Sequence, residues 1–350
     1  MRVSSRAFMP LRLHQQQDRF RASMLGFAIG DALGFPMRGL PPISAARAQG
    51  LAEDFVHRPR GKFAKGQFSD DTQMLLAVAE SVAREKRVDG KAAAQHLSWL
   101  WQEGVILQPP LSVTHSAEAL LAGTPWMSAG APMGVCDASC LSRGVVAGLW
   151  SETSLTKLNH DAHVLTVMTH KDALCTAAVT GFAKAIQLGL SGEQLEAASV
   201  CEEVSKAVAL SHRDFAEEIY HLPRIMTWDP ERALNALRRV GVSPSQYDFE
   251  LGLPSHVIPC TLTALYVSLK HPKNFRDALA LVLRAGGEID VVAAMVGSLL
   301  GANLGTEAIP ARLKKNVLYP EALTEAADRL LEARLSKDAV TAHSYAAVRR

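Results

Sequence analysis

Apolar residues recur at intervals of three and four along most of the chain. Leu75, Val78, Ala79 and Val82 fall on one helical face, Leu279, Val282 and Leu283 on another, and Leu323, Ala326, Ala327, Leu330 and Leu331 on a third. Alternation with a period of two, the mark of a half-buried strand, is scarce, and no strand-helix rhythm of a parallel sheet emerges. The pattern therefore predicts an all-α fold. Clusters of Gly, Pro and small polar residues at 39–42, 58–66, 108–110, 123–132 and 241–247 read as loops between helices. None of these breaks separates segments of contrasting composition, and no repeat or low-complexity tract is present. One compact domain is expected over residues 18–337, with a polar N-terminal tail over 1–17 and a small-residue C-terminal tail over 338–350.

Composition narrows the class of protein. With 350 residues and 48% hydrophobic content, the chain can bury a substantial core. A formal net charge of +2, without a basic run interleaved with aromatics, nominates no nucleic-acid partner. Residues 291–304 form the longest apolar run noted, too short for a bilayer span, and the Arg- and Gln-rich start lacks the apolar core of a secretory signal. No membrane association is expected. The five cysteines are odd in number and lack paired CxxC spacing, which suits reduced thiols in a cytoplasmic protein.

Two short acidic clusters carry the candidate chemistry: Ser69-Asp70-Asp71-Thr72 and Gly286-Gly287-Glu288-Ile289-Asp290-Val291, each opening an apolar helical run. Neighbouring carboxylates repel and are costly to desolvate, so the pair suggests a shared counter-ion, most simply a hard divalent cation with oxygen ligands. The plainer reading of Ser69 and Asp70 is a helix cap. Glycines at spacing four, Gly26, Gly30 and Gly34, suit close helix packing, with phosphate binding the alternative. His170 is open to two readings, a buried hydrogen-bonded residue or part of a site. Cys136 and Cys140 share a helical face but lack further ligands, which favours packing. No G-x-S-x-G elbow or H-x-x-x-H pair is present.

Taken together, Gly30-Asp31-Ala32-Leu33-Gly34, Ser69-Asp70-Asp71-Thr72, Met168-Thr169-His170-Lys171-Asp172 and the 286–297 segment resemble the four signature blocks of the ADP-ribosylglycohydrolase family, which includes the dinitrogenase-reductase-activating glycohydrolases. The blocks stand in the family's order and span nearly the whole chain. The resemblance implies an all-α domain that binds two Mg²⁺ ions, or Mn²⁺ in some members, and hydrolyses the N- or O-glycosidic bond joining ADP-ribose to a protein side chain or a related small molecule. It implies metal ligation by Ser69, Asp70, Asp71, Glu288 and Asp290, catalytic work by Asp70, Asp71 and Glu288, and substrate contacts from Asp31, Arg38, Gly134 and His170.

Departures from the family pattern fall in the same blocks. Where the family carries a catalytic Glu, four residues beyond the last glycine of the first block, this chain has Arg38. A guanidinium cannot serve as base or proton donor at neutral pH, although it can pair with a phosphate or carboxylate. Glu288 stands where the family has Asp, and Val291 supplies no oxygen to a second ion, which is expected to be weak or absent. The 134–143 segment keeps Gly134 and Arg143 of the family's glycine-rich loop but loses its Gly-Asn. A non-catalytic binder of ADP-ribose or another nucleotide, or a hydrolase of a different anionic substrate, are the alternatives.

Overall fold

The computed structural model describes residues 11–57, 63–151 and 154–348, with side chains through residue 337. The described residues form helices and loops, with only two isolated β-bridges, Ala131 to His170 and Leu253 to Gly287. The three predicted apolar faces lie within the helices Asp70–Glu85, Phe275–Leu283 and Pro320–Val348, and every residue named for them is buried.

At the centre, the first helix (Leu13–Gly34) lies against the apolar helix Ile289–Leu304. Glycines bring the two backbones into contact. A methyl group on Gly26 would stand 2.1 Å from the carbonyl oxygen of Gly297, and one on Gly30 would stand 2.0 Å from that of Ala293. A methyl on Gly34 would lie 2.4 Å from the Cα of Asp290, and Gly297 and Gly301 return the same contacts to Gly26 and Ala22. Such separations exclude any side chain, so the spacing of four serves helix approach. The C-terminal end of the first helix is thereby set directly against Asp290.

The ends of the chain differ from the sequence-based expectation. The first helix begins at Leu13, within the expected tail, where polar residues find partners: Gln15 accepts from the Arg12 amide at 3.0 Å and Gln17 donates to Asp328 Oδ1 at 3.1 Å. The last helix runs on to Val348, through a segment with neither Gly nor Pro to end it. In the 123–132 segment a short helix, Trp126–Ala129, interrupts the expected loop; part of the 58–66 break lies outside the described residues.

Among the described residues one helix, Ala173–Leu190, is long and apolar enough by length and composition to cross a membrane, longer than the 291–304 run. Most of it is buried against its neighbours, as in a core helix.

Candidate functional site

Both acidic clusters stand at helix starts. Ser69 caps the Asp70–Glu85 helix, its Oγ accepting from the Asp71 amide at 3.2 Å, so that Asp70 and Asp71 occupy the first turn near the positive end of the helix. A second support comes from the first helix. Asp31, fully buried, accepts from the Ser69 amide at 3.0 Å and from the amide and hydroxyl of Thr72 at 3.2 and 2.6 Å. Its carboxylate is committed to orienting the 69–72 turn. Glu288 stands immediately before the Ile289–Leu304 helix, after two glycines with φ of +66° and +75°. A methyl on Gly287 would stand 2.1 Å from the Leu253 carbonyl oxygen, so the turn is pressed between the 39–43 and 252–254 loops.

Between the two clusters lies Arg38. Its Nη1 donates to Asp70 Oδ1 at 3.2 Å and stands 3.1 Å from Asp290 Oδ2. Its Nη2 donates to the Gln108 carbonyl at 3.1 Å, and its guanidinium lies 5.2 Å from the centre of the Phe35 ring. Gln108 itself has a φ of +55°, an unusual backbone for a residue with a side chain, and the turn aims its carbonyl at Arg38. The Arg38 side chain is 17% exposed, whereas those of Asp70 and Asp290 are 1% and 0% exposed.

The charges are dense enough to move the titrations of Asp31, Asp70, Asp71, Glu288 and Arg38. Burial, then Asp290, pushes Asp31 up to about 6, and Glu288 is pushed up to about 8 by the same two influences. Burial raises Asp70 to about 7 despite Arg38. Asp71 goes well above the ordinary carboxylate range through burial and its three acidic neighbours Asp70, Asp31 and Asp290, and its Oδ1 is buried without a hydrogen bond among the described residues. Burial works against the charge of Arg38, but Asp290, Asp70, Glu288 and Asp71 together hold its pKa above the usual guanidinium value.

A divalent cation needs several oxygen ligands converging on an open point. Among the described residues no group of three or more His, Cys, Asp or Glu side chains converges in that manner. The guanidinium stands between Asp70 and Asp290, and the residues as arranged do not fit a Mg²⁺ or Mn²⁺ ion.

The other predicted site residues are dispersed around this core. His170 is fully buried, with Nδ1 3.1 Å from Thr169 Oγ1 and Nε2 3.1 Å from Asp137 Oδ2. Both nitrogens are committed inside the protein. Gly134 is exposed, and its amide donates to Asp172 at 2.8 Å. The sequence reading missed Asp137, which receives His170 and the Ser139 hydroxyl; burial opposes its charge, but these hydrogen bonds hold it well below the usual range. It also missed Arg143 as a buried cation, fully enclosed, donating to the Ser139 carbonyl at 2.9 Å and close enough to Asp71 and Asp137 to feel their charge. The available signal was that the 134–143 segment keeps Arg143 of the family's glycine-rich loop.

The sequence model of the ADP-ribosylglycohydrolase family matches residues 12–339. The chain belongs to the ADP-ribosylglycohydrolase family. An uncharacterized protein of Archaeoglobus fulgidus is 29% identical, over 90% of this chain and 97% of its own length. The ADP-ribosylarginine hydrolase Tri1 of Pseudomonas putida is 22% identical, over 95% of this chain and 82% of its own. Among solved structures, one described as an ADP-ribosylglycohydrolase-related protein complex superposes with a TM-score of 0.66 at 22% identity, covering 92% of this chain and all of that one. The fold is that of an ADP-ribosylglycohydrolase, and the family is one of hydrolases.

Proposed function

We propose that the chain binds an ADP-ribose conjugate at the Arg38 cluster and hydrolyses its glycosidic bond, with Glu288 as proton donor. The observation that carries this reading is the convergence of Asp70 and Asp290, from opposite halves of the chain, on Arg38, with Glu288 near enough for its charge to act on the guanidinium. Glycosidic cleavage leaves positive charge on the ribose ring and negative charge on the departing atom. A carboxyl that keeps its proton near neutrality supplies the second need, and Glu288, half-buried and pushed up to about 8 by burial and Asp290, meets it. Asp70 and Asp290, their charge partly balanced by Arg38, face the developing cation, and Asp70 takes a proton from the attacking water. The C–O bond to water forms as the bond to the leaving group breaks, and the leaving atom departs with the Glu288 proton. The similarity to an ADP-ribosylarginine hydrolase makes arginine-linked ADP-ribose the first conjugate to offer.

The test is release of ADP-ribose from an ADP-ribosylated arginine peptide, followed by chromatography. Glu288→Gln should slow release by about a hundredfold or more while leaving binding of the conjugate in place. Release at the wild-type rate in that variant would overturn the assignment of the donor.

One observation favours a second reading. Arg38 engages both Asp70 and Asp290, which withdraws two carboxylates from proton transfer. A non-catalytic binder of ADP-ribose would show saturable binding by calorimetry with no release from any arginine, serine or small-molecule conjugate.

A further inference from the structure

We propose that the Arg38 guanidinium is the resident cation of this site, holding Asp70 and Asp290 together where a divalent ion would otherwise sit, so that the wild-type chain neither needs nor binds Mg²⁺ or Mn²⁺ there. A single nitrogen, Nη1, lies 3.2 Å from an oxygen of Asp70 and 3.1 Å from one of Asp290, the bridging position of a shared counter-ion. The remainder of the side chain is fixed from outside the acidic cluster. The Gln108 carbonyl receives Nη2 at 3.1 Å, and the buried Phe35 ring lies 5.2 Å away. Arg38 is thus built into the acidic cluster. Two large cavities, of about 860 Å³ beside Leu76, Trp99 and Tyr319 and about 720 Å³ beside Pro41, Leu234 and Arg284, are not lined by these carboxylates.

The charge balance makes the arrangement consequential. Asp31, Asp70, Asp71 and Asp290 are all buried, and a buried carboxylate without a counter-charge must either take up a proton or recruit a cation. As arranged these side chains do not converge as a metal site, but removing the guanidinium takes from Asp70 and Asp290 the partner that fixes them and leaves both carboxylates to turn onto an ion beside Asp71 and the Ser69 hydroxyl. Carboxylates and a hydroxyl are the donor set of a hard divalent ion. Arg38→Met should therefore convert an ion-paired cluster into a metal site.

This inference does not depend on hydrolysis, and its readouts are separate from ADP-ribose release. Free Mn²⁺ is followed by its electron paramagnetic resonance signal, which falls when the ion binds, and thermal unfolding is recorded with chelator and with millimolar Mn²⁺. For the wild type the expected result is an undiminished signal and the same Tm in both conditions. For Arg38→Met it is a lower Tm than wild type in chelator, saturable loss of the Mn²⁺ signal, and a Tm that rises by several degrees with the metal. Should the variant fold only when Mn²⁺ is present, that too supports the proposal. Saturable Mn²⁺ binding by the wild type that Asp70→Asn abolishes would overturn it, as would a folded Arg38→Met that leaves the Mn²⁺ signal unchanged. The wild-type measurement decides even where the variant cannot be made.

Discussion

Burial and neighbouring carboxylates push Glu288 up to about 8, Asp70 to about 7 and Asp31 to about 6 in the folded protein, against ordinary values near 4. A carboxyl with a raised folded pKa contributes stability that is present in full below its unfolded pKa and lost as pH rises through the folded one. The Tm of the wild type should accordingly fall by several degrees between about pH 5 and about pH 9 in a fluorescence melt. The lowered Asp137 acts in the opposite direction, but its contribution changes only in acid, below that window. Arg38→Gln should steepen the decline, since Arg38 opposes the rise of both Asp70 and Glu288. A flat profile in both proteins would mean that the carboxyls are not held protonated. At the same scale, Asp137 and His170 form a buried hydrogen-bonded pair, and Asp137→Ala leaves an imidazole nitrogen without its acceptor. A loss of about 2 to 3 kcal/mol is expected in urea denaturation.

Helix packing accounts for how two distant stretches of sequence become one site. The contact of Gly30 with the Ala293 carbonyl and of Gly34 with the Asp290 backbone leaves no room for a methyl group. Gly34→Ala should push the Ile289–Leu304 helix away from the first helix and cost more than about 2 kcal/mol in the same denaturation measurement. Because Asp290 is the residue displaced, conjugate binding should weaken as well. The element scale is also where the sequence was most readable. Apolar periodicity marks the helices around Leu75, Leu279 and Leu323, and Ser69 and the Gly286-Gly287 pair mark the two helix starts. Periodicity reports which face of a helix is buried, but says nothing about where a long side chain ends. Arg38 reads in the sequence as a lost carboxylate or a grip on substrate, and only the folded chain shows it turned inward onto Asp70 and Asp290. The same limit applies to Asp31 and His170, whose polar atoms are consumed within the protein.

Over the whole molecule, the site draws on both ends of the chain. The first helix packs against Ile289–Leu304 and against the last helix, which also lies on the Asp70–Glu85 helix. Contacts between residues so far apart in sequence close large loops late, which predicts slow folding with few early contacts around Arg38. Deleting residues 320–350 removes Leu323, Ala327 and Leu330, all fully buried, and uncovers the helices that present Asp31 and Asp70. The truncated chain should lose its near-ultraviolet circular dichroism while retaining much of its far-ultraviolet helical signal, and should not bind conjugate.

The backbone contact between the first helix and Ile289–Leu304 bears on how related chains should be compared. Gly26, Gly30, Gly34, Gly297 and Gly301 are constrained by contact distance alone and would resist replacement in any chain with this helix crossing, whatever chemistry it performs. Invariance at those positions in an alignment would record steric necessity. Position 38, held by the loop that follows, is free of that constraint, so variation there is the better guide to a change of reaction.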